Sequence, residues 1–198
     1  MTGSAVWRRA IALGIATSFA AVMATPAGAA EAAAPGRTPV VLFPAFHFTK
    51  LQVTARNQKV ALNCPQSGSF QDWFLNDHPS TTFTQVCQDK LMTLRYDANR
   101  KSMAERFSNQ LGVSVDILGY GTTQSAPFYE GMYRALEAAG YVRNQDIRVA
   151  GYDARLTPDI GDFVSRTEAL IEETYRTNGK RRVHLVGHSN VRSMPSIS

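Results

Sequence analysis

A short apolar run at residues 183–186 constrains the fold of this chain more than any other feature. It leads into a turn with a serine at its tip, Gly187-His188-Ser189. A buried strand followed by such a turn is typical of the nucleophile elbow, G-x-S-x-G, in which the serine oxygen is exposed above a parallel sheet. Val191 stands where the second glycine of that pattern belongs. This stretch alone leaves two interpretations open, an elbow or an ordinary strand and loop.

The first 29 residues predict a secretory signal peptide. A basic pair, Arg8-Arg9, precedes an apolar run at residues 10–24, and Ala27-Gly28-Ala29 is typical of a cleavage site. The alternative is a membrane anchor, but a spanning helix needs about 20 apolar residues. We therefore expect a secreted, extracellular protein after cleavage near Ala29. A linker at residues 30–38 would then precede an incomplete domain at residues 39–198.

Charge and composition exclude several classes of function. Residues 1–29 contain two arginines and no acidic residue, so their removal lowers the formal charge from +5 to +3. No cluster of lysine and arginine is interleaved with aromatic residues, so we expect no nucleic-acid partner. The four histidines are scattered and no C-x-x-C pair occurs. The sequence therefore predicts neither a metal site nor a cofactor.

Apolar runs and capping residues predict alternating strands and helices. Strands are expected at residues 40–43, 91–96, 113–118 and 147–151, and residues 57–90 look irregular. Pro127 begins a helix that Gly140 ends, and Thr157-Pro158 supplies the N-cap and first turn of a second helix that Gly179 ends. This order favours βαβ units. The predicted fold class is α/β, an α/β-hydrolase: the N-terminal half of a mostly parallel sheet with helices on both faces, ending at the nucleophile elbow.

The two predicted helices each carry an apolar stripe at helical spacing. In the first helix the stripe comprises Phe128, Met132, Leu136 and Ala139. In the second it comprises Ile160, Phe163, Val164, Ile171 and Tyr175. We expect both stripes to pack against the sheet.

The chain contains two cysteines, Cys64 and Cys87. Secretion would place them in an oxidising compartment, where a disulfide is the default. The bond would close most of residues 57–90 as a loop around Trp73. Two interpretations of Trp73 stay open, a plug beneath the loop or a lipid-facing ring on a lid.

Several segments together resemble the lecithin:cholesterol acyltransferase family of α/β-hydrolases. Residues 152–158, Tyr-Asp-Ala-Arg-Leu-Thr-Pro, are similar to the family's Y-D-W-R-L-x-P, with Ala154 in place of tryptophan. Residues 39–44 resemble its first strand motif, whose usual P-G is here Pro44-Ala45. The cysteine pair with Trp73 between resembles its disulfide-closed lid, which favours the lid interpretation, and Gly187-His188-Ser189 resembles its elbow.

The resemblance implies a lipid acyltransferase or phospholipase that acts through a serine acyl-enzyme. Ser189 would be the nucleophile, and the backbone N–H groups of Phe46 and Asn190 would bind the oxyanion. Trp73 would contact lipid. The implied partners are a phospholipid or other lipid ester, a sterol or alcohol acceptor, and a peripheral lipid surface.

The residues after Ser189 depart from this pattern. In this fold the catalytic triad follows the chain order serine, acid, histidine, yet residues 190–198 contain no acid and no histidine. His188 should point away from the serine, and His184 is expected in the core. Val191 and Pro195 do not fit the helix that follows an elbow. The tail after Asn190 resembles unrelated sequence, such as a frameshift or premature stop would give. We expect the chain as given to be catalytically incompetent, with a truncated remnant or a lipid-binding protein as the alternative function.

The same ending predicts an exposed sheet edge. If no strand follows the elbow strand, its apolar residues lack a neighbour on one side, and flat apolar edges promote aggregation.

Overall fold

A computed structural model describes residues 37–73, 82–157 and 160–189 of the chain. The predicted signal peptide and the residues after Ser189 lie outside the described residues. In chain order the regular elements are β1 (Val40–Phe43), β2 (Leu51–Ala55), β3 (Gly68–Asp72), α1 (Gln85–Met92), β4 (Arg95–Tyr96), α2 (Met103–Arg106), β5 (Phe107–Ser108), β6 (Val113–Ile117), α3 (Glu130–Ala138), β7 (Ile147–Val149), α4 (Phe163–Thr177) and β8 (His184–Gly187). Two 3₁₀ turns, Thr123–Ser125 and Pro127–Tyr129, precede α3.

Strand β1 is the middle strand of a parallel sheet with the order β7-β1-β8. Val40 is in register with Ile147 on one side and with His184 on the other. All four residues of β1 are buried, as the continuous apolar run predicted. The carboxyl ends of β1 and β8 therefore meet, with Phe43 opposite Gly187.

Helices cover both faces of this sheet. On one face Val41 and Phe43 pack with Phe163 and Leu170 of α4. On the other face Leu42 packs with Tyr133 of α3 and with neighbours in β7. Successive side chains of a strand point to opposite faces, so one four-residue strand supplies both cores. The prediction of helices on both faces is confirmed for this sheet.

A second sheet, which the sequence did not predict, is antiparallel with the order β3-β2-β6. Its middle strand, β2, alternates buried and half-buried residues, with Leu51, Val53 and Ala55 inward. The expectation of a mostly parallel sheet therefore holds for β7-β1-β8, and the described residues contain this antiparallel sheet in addition. Residues 113–118 do form a strand, β6, but it joins this antiparallel sheet.

The segment at residues 57–90 is more regular than predicted. It contains β3 and most of α1, and the predicted strand at residues 91–96 is instead the end of α1 followed by the two-residue β4. The Thr84 side chain caps α1 by accepting from the Cys87 N–H, and Leu91 is fully buried. An apolar residue that faces the core from the last turn of a short helix looks like part of a strand when only local pattern is considered.

The structure contains the predicted disulfide between Cys64 and Cys87, whose Cα atoms are 5.6 Å apart. Both cysteines are buried in an apolar cluster with Phe70 and Phe83. The bond joins the loop after β2 to α1. This cluster is the core beneath the antiparallel sheet.

The two long helices begin later than predicted. Helix α4 starts at Phe163 after Asp162, so Thr157 is not its N-cap, and Pro158 lies outside the described residues. Its fully buried stripe is Phe163, Thr167, Leu170 and Thr174, whereas Tyr175 is exposed. Helix α3 follows a 3₁₀ turn that leaves Phe128 exposed. Gly140 and Gly179, with φ of 86° and 69°, end the two helices as predicted.

Strand β8 forms an edge of the parallel sheet within the described residues. All four of its residues are exposed, although it pairs with β1 along its whole length. None of the described helices is long and apolar enough to cross a membrane.

Candidate active site

Ser189 lies directly beyond the carboxyl end of β8, in a strained turn. The His188 N–H donates to the Phe43 carbonyl at 3.1 Å, which extends the β1–β8 pairing by one bond. The next residue, Ser189, has a φ of 63°. Positive φ is uncommon for a residue with a side chain and often marks a functional turn. This is the backbone conformation expected at the tip of an elbow.

The residues after β1 form the opposite wall of the site. The Phe48 N–H donates to the Ala45 carbonyl at 3.1 Å, and His47 has a φ of 64° within this turn. Six residues line a cavity of about 460 Å³ between this turn and the elbow: Ala45, Phe46, His47, Phe48, His188 and Ser189. Among the described residues no acceptor is bonded to the Phe46 N–H. Phe46 and Ser189 therefore line the same cavity, whereas Asn190 lies outside the described residues.

The hydroxyl of Tyr129 bridges the two walls. It accepts a hydrogen bond from the Ala45 N–H at 2.8 Å and lies 2.9 Å from Nδ1 of His188. Either atom of the Tyr129–His188 pair can be the donor, since a hydroxyl donates one hydrogen bond and accepts two. Burial raises the pKa of Tyr129, which keeps its hydroxyl protonated, although the Ala45 N–H opposes the shift.

Aromatic side chains give the site an apolar flank. The rings of Phe48 and Phe128 stack with centroids 4.1 Å apart, and Phe48 also lies 5.9 Å from the His188 ring. Phe46 is 59% exposed and Phe128 is 43% exposed. A cluster of exposed aromatic rings around a cavity is a feature of sites for apolar ligands.

His47 faces a carboxylate on the antiparallel sheet. Its Nε2 lies 3.4 Å from Oδ2 of Asp72, the last residue of β3. Both residues are partly exposed, His47 more than Asp72. The cavity next to Ser189 thus has an imidazole with an acidic partner on its wall.

The sequence analysis considered two further histidines, His184 and His188, and expected neither to act on the serine. The ring of His188 is held by Tyr129, which agrees with the expectation that it does not serve the serine. His184 begins β8, about 16 Å of strand from Ser189 at a rise of about 3.3 Å per residue. The expectation that His184 lies in the core is wrong, because β8 is an edge strand and the residue is exposed.

Trp73 is buried, with 7% of its surface exposed. Lys50 Nζ lies 5.0 Å from the ring centroid, and the indole Nε1 has no hydrogen-bond partner among the described residues. In this conformation the ring therefore acts as a plug, the first of the two interpretations. Contact between Trp73 and lipid on a lid stays a prediction.

The segment after β7 is held by a half-buried arginine. Arg155 donates to both carboxylate oxygens of Asp153, to Asn109 Oδ1 at 2.9 Å and to the Met92 carbonyl at 2.9 Å. These bonds join the loop to the end of α1 and the residue after β5. Ala154, which replaces tryptophan in the family motif, is partly buried against the α4 cluster. No described group of three or more histidine, cysteine or acidic residues is arranged to hold a metal ion.

The sequence did not single out Tyr129. It indicated that residues 45–48, which include His47, are too apolar for a plain solvent loop and either line a pocket or are covered by the next segment; the structure places all four at the cavity. Phe48 lies 80 residues before Phe128, so no local pattern connects it with Phe128 and Tyr129. Nothing local links His47 with Asp72, since strand pairing alone brings them together.

Comparison with known proteins places this geometry in context. The family model described as lecithin:cholesterol acyltransferase matches residues 81–192. The phosphatidylcholine-sterol acyltransferase of Gerbilliscus gambianus is 37% identical over 94 residues, which cover 42% of this chain and 32% of the relative. The Mus musculus protein of the same name is 35% identical over 94 residues, 42% of this chain and 21% of the relative.

A relative with a different name also matches. The lysosomal phospholipase A and acyltransferase of Canis lupus familiaris is 34% identical over 108 residues, which cover 48% of this chain and 26% of the relative. The chain thus spans about a third or less of the length of these three relatives. The matched family region includes α1, α3, α4, the Arg155 loop and the elbow.

Proposed function

Because this chain belongs to the lecithin:cholesterol acyltransferase family, we propose that it acts on lipid esters through an acyl-enzyme at Ser189. The observation that carries this proposal is the position of Ser189, at a φ of 63° on the cavity that also receives the Phe46 loop. A strained serine beside a free backbone N–H is the arrangement that acyl transfer requires.

The reaction begins with attack of the Ser189 hydroxyl oxygen on the ester carbonyl carbon. The developing oxyanion accepts hydrogen bonds from the N–H groups of Phe46 and Asn190. Loss of one such donor typically costs about 2.7–4 kcal/mol of transition-state stabilisation. The C–O bond to the alcohol then breaks, the serine proton ends on that alcohol's oxygen, and the acyl group passes from Ser189 to water, an alcohol or a sterol, whose own proton returns to the serine oxygen.

The aromatic flank supports a lipid substrate. Phe46 and Phe48 line the cavity next to the proposed nucleophile, and Phe128 stacks on Phe48; this apolar surface suits an acyl chain better than a charged substrate. The names of the relatives include a phosphatidylcholine-sterol acyltransferase and a phospholipase A. We therefore propose a phospholipid as acyl donor, met at a peripheral lipid surface, with Trp73 as a lid residue that contacts lipid after rearrangement.

Secretion after cleavage near Ala29 is part of the proposal. The support is the basic pair, apolar run and small-residue site in residues 1–29. The Cys64–Cys87 disulfide is consistent with folding in an oxidising compartment.

The sequence led us to expect that the chain as given is catalytically incompetent, and the proposed acyl-enzyme at Ser189 departs from that expectation. That expectation considered as possible catalytic bases only the residues that follow Ser189 and the two histidines of the elbow segment, His184 and His188. A non-catalytic lipid-binding protein is the second candidate function, and the exposed aromatic rings favour it because they would bind an acyl chain without any chemistry.

The test uses the secreted chain and phosphatidylcholine vesicles with a labelled acyl chain. Samples are quenched in acid, and peptide mass spectrometry detects an acyl ester on Ser189. We expect this adduct in the wild type, none in Ser189→Ala, and the normal amount in Ser114→Ala, which removes an exposed serine of β6. Vesicle binding without an adduct would instead support the lipid-binding candidate.

A further inference from the structure

A second cavity lies where the chain leaves β7, between the start of α4 and the antiparallel sheet. It encloses about 190 Å³, less than the roughly 300–1,000 Å³ of pockets that hold whole drug-sized ligands. We propose that this cavity binds the phosphocholine group of a lipid. The proposal rests on the proposed function and deepens it, because it names the headgroup that the lipid ester would carry.

Aromatic rings form much of the cavity wall. Four of them line it: Phe107, Tyr120, Tyr152 and Phe163. The rings of Tyr152 and Phe163 meet edge to face with centroids 5.8 Å apart. Aromatic faces attract cations, and groups of aromatic rings are a general means of recognising quaternary ammonium ligands. The wall therefore suits the trimethylammonium end of choline, which is both cationic and apolar.

The charged side chains that line the cavity sum to a negative charge. They are three carboxylates and two guanidinium groups, of Asp116, Asp153, Asp162, Arg155 and Arg166, so two positive and three negative charges give −1. Asp153 and Arg155 neutralise each other through hydrogen bonds between their side chains. The excess comes from the two carboxylates near Arg166, and a cleft with a net negative charge concentrates cations.

Arg166 offers hydrogen-bond donors for the phosphate. Its Nη1 lies 3.5 Å from Oδ1 of Asp116 and 3.7 Å from Oδ2 of Asp162, and its guanidinium lies 4.0 Å from the centroid of the Tyr120 ring. Both carboxylates are exposed, and long, exposed ion pairs of this kind contribute little to stability. A phosphate can take the guanidinium N–H groups in the paired geometry that arginine favours, while the carboxylates attract the ammonium group.

A hydrogen bond joins the walls of the two cavities. The Tyr152 N–H donates to Oγ1 of Thr49 at 3.1 Å, and Thr49 directly follows Phe48, which lines the Ser189 cavity. Strands β7 and β1 are neighbours in the parallel sheet, and neighbouring strands lie about 4.8 Å apart. The headgroup and the acyl ester of a phospholipid are joined through one glycerol, so they are the groups that we expect in the two cavities.

The first test is isothermal titration calorimetry of the full chain with free phosphocholine, phosphoethanolamine and glycerol phosphate. We expect phosphocholine to bind about 10-fold more tightly than the other two, because it alone carries methyl groups on the cation that contact the rings. In NMR spectra of the complex, the choline methyl protons should show nuclear Overhauser effects to ring protons of Phe107 or Tyr120.

The second test removes the negative excess. Asp116→Asn combined with Asp162→Asn keeps a side-chain oxygen at both positions, including the acceptor for the Ile117 N–H. We expect the affinity for phosphocholine to fall by about 10-fold. Glu168→Gln combined with Glu172→Gln makes the same charge change at exposed positions of α4 outside the cavity and should bind as the wild type does. Urea unfolding checks that both double variants fold.

Vesicles distinguish a lipid headgroup from a free ligand. The full chain is mixed with vesicles of phosphatidylcholine or phosphatidylethanolamine that have the same acyl chains. We expect tighter binding to phosphatidylcholine, and loss of this preference in the double aspartate variant. Binding of free phosphocholine without a preference between the vesicles would overturn the lipid as its source.

Three outcomes overturn the proposal as a whole: equal binding of phosphocholine and glycerol phosphate, no Overhauser effect to the cavity rings, or unchanged affinity in the double aspartate variant. These failures are distinguishable from those of the proposed function. Headgroup binding without an acyl adduct on Ser189 keeps the headgroup site and removes the acyl-enzyme. An acyl adduct that forms equally from both lipids and in the double aspartate variant keeps the acyl-enzyme and removes the headgroup site.

Discussion

The Tyr129 hydroxyl and the His188 imidazole are 2.9 Å apart, and through this bond the turn after β1 is tied to the nucleophile turn. The same hydroxyl accepts a hydrogen bond from the Ala45 N–H at 2.8 Å. Ala45 directly precedes the proposed oxyanion donor Phe46, and His188 directly precedes Ser189. One side chain thereby joins the residues that precede Phe46 and Ser189, the two groups that the proposed reaction brings to one carbonyl.

Tyr129→Phe removes this bridge while keeping the ring. We expect fluorophosphonate labelling of Ser189 to slow by about 10-fold, because a misplaced oxyanion donor loses part of its transition-state interaction. The free energy of unfolding should fall by about 1 kcal/mol, the typical net contribution of a hydrogen bond. Tyr175→Phe on the exposed face of α4 serves as the control. Equal rates in Tyr129→Phe and wild type would show that the bridge does not position the site.

Asp146 should make stability depend on pH in the acid range. The residue is 1% exposed, its Oδ2 has no partner among the described residues, and burial raises the pKa of its carboxyl. A raised pKa in the folded state contributes stability below the unfolded value of about 3.9, and this is lost as pH rises through the folded value. Asp146→Asn should therefore be more stable than wild type at pH 7.

Urea unfolding at pH 4, 5, 6 and 7 measures this effect. The advantage of Asp146→Asn should shrink toward pH 4, while Glu168→Gln, at an exposed position on α4, should track the wild type throughout. An advantage that stays constant with pH would assign the difference to packing and not to the carboxyl.

The disulfide should stabilise the antiparallel half of the molecule. A loop of the length between Cys64 and Cys87 corresponds to about 3 kcal/mol in the chain-entropy estimate. The double variant Cys64→Ala with Cys87→Ala should lose about this much in urea unfolding. A reductant should lower the stability of the wild type and leave the variant unchanged; a variant that responds to reductant as the wild type does would argue against this origin.

The edge position of β8 should promote association. Leu185 is 50% exposed and Val186 is 40% exposed, and they lie on opposite faces of an edge strand. We expect purified chain to bind a hydrophobic dye and to elute with a concentration-dependent size. Leu185→Lys should reduce both effects, whereas Leu62→Lys, at an exposed residue outside any strand, should not. A monomeric wild type at all concentrations would contradict the prediction.

Features that depend only on neighbouring residues could be predicted from the sequence. The run at residues 40–43 identified a strand buried on both faces because neither face carries a polar residue. Gly140 and Gly179 marked the helix ends because glycine adopts positive φ without cost. The turn at Gly187-His188-Ser189 identified the candidate nucleophile for the same local reason.

Features that depend on distant pairing could not be predicted in this way. The alternation of Leu51, Val53 and Ala55 is a strand signal, but the choice of β3 and β6 as its neighbours is set by three-dimensional packing. The juxtaposition of His47 and Asp72 follows from that choice. The late start of α4 shows the same effect, since a good capping pair at Thr157-Pro158 did not decide where the helix begins.

The order of strands in the parallel sheet bears on how the chain folds as it is made. Strand β1 is the first strand of the described chain to leave the ribosome, and β8 is the last. The ladder between them closes only after every intervening segment has been synthesised, and such long-range closure is slow. Until then β1 can pair with β7 but not with β8, and its apolar residues are covered on one side only. Export in an unfolded state, followed by folding of the released chain, would therefore suit this topology better than folding during synthesis.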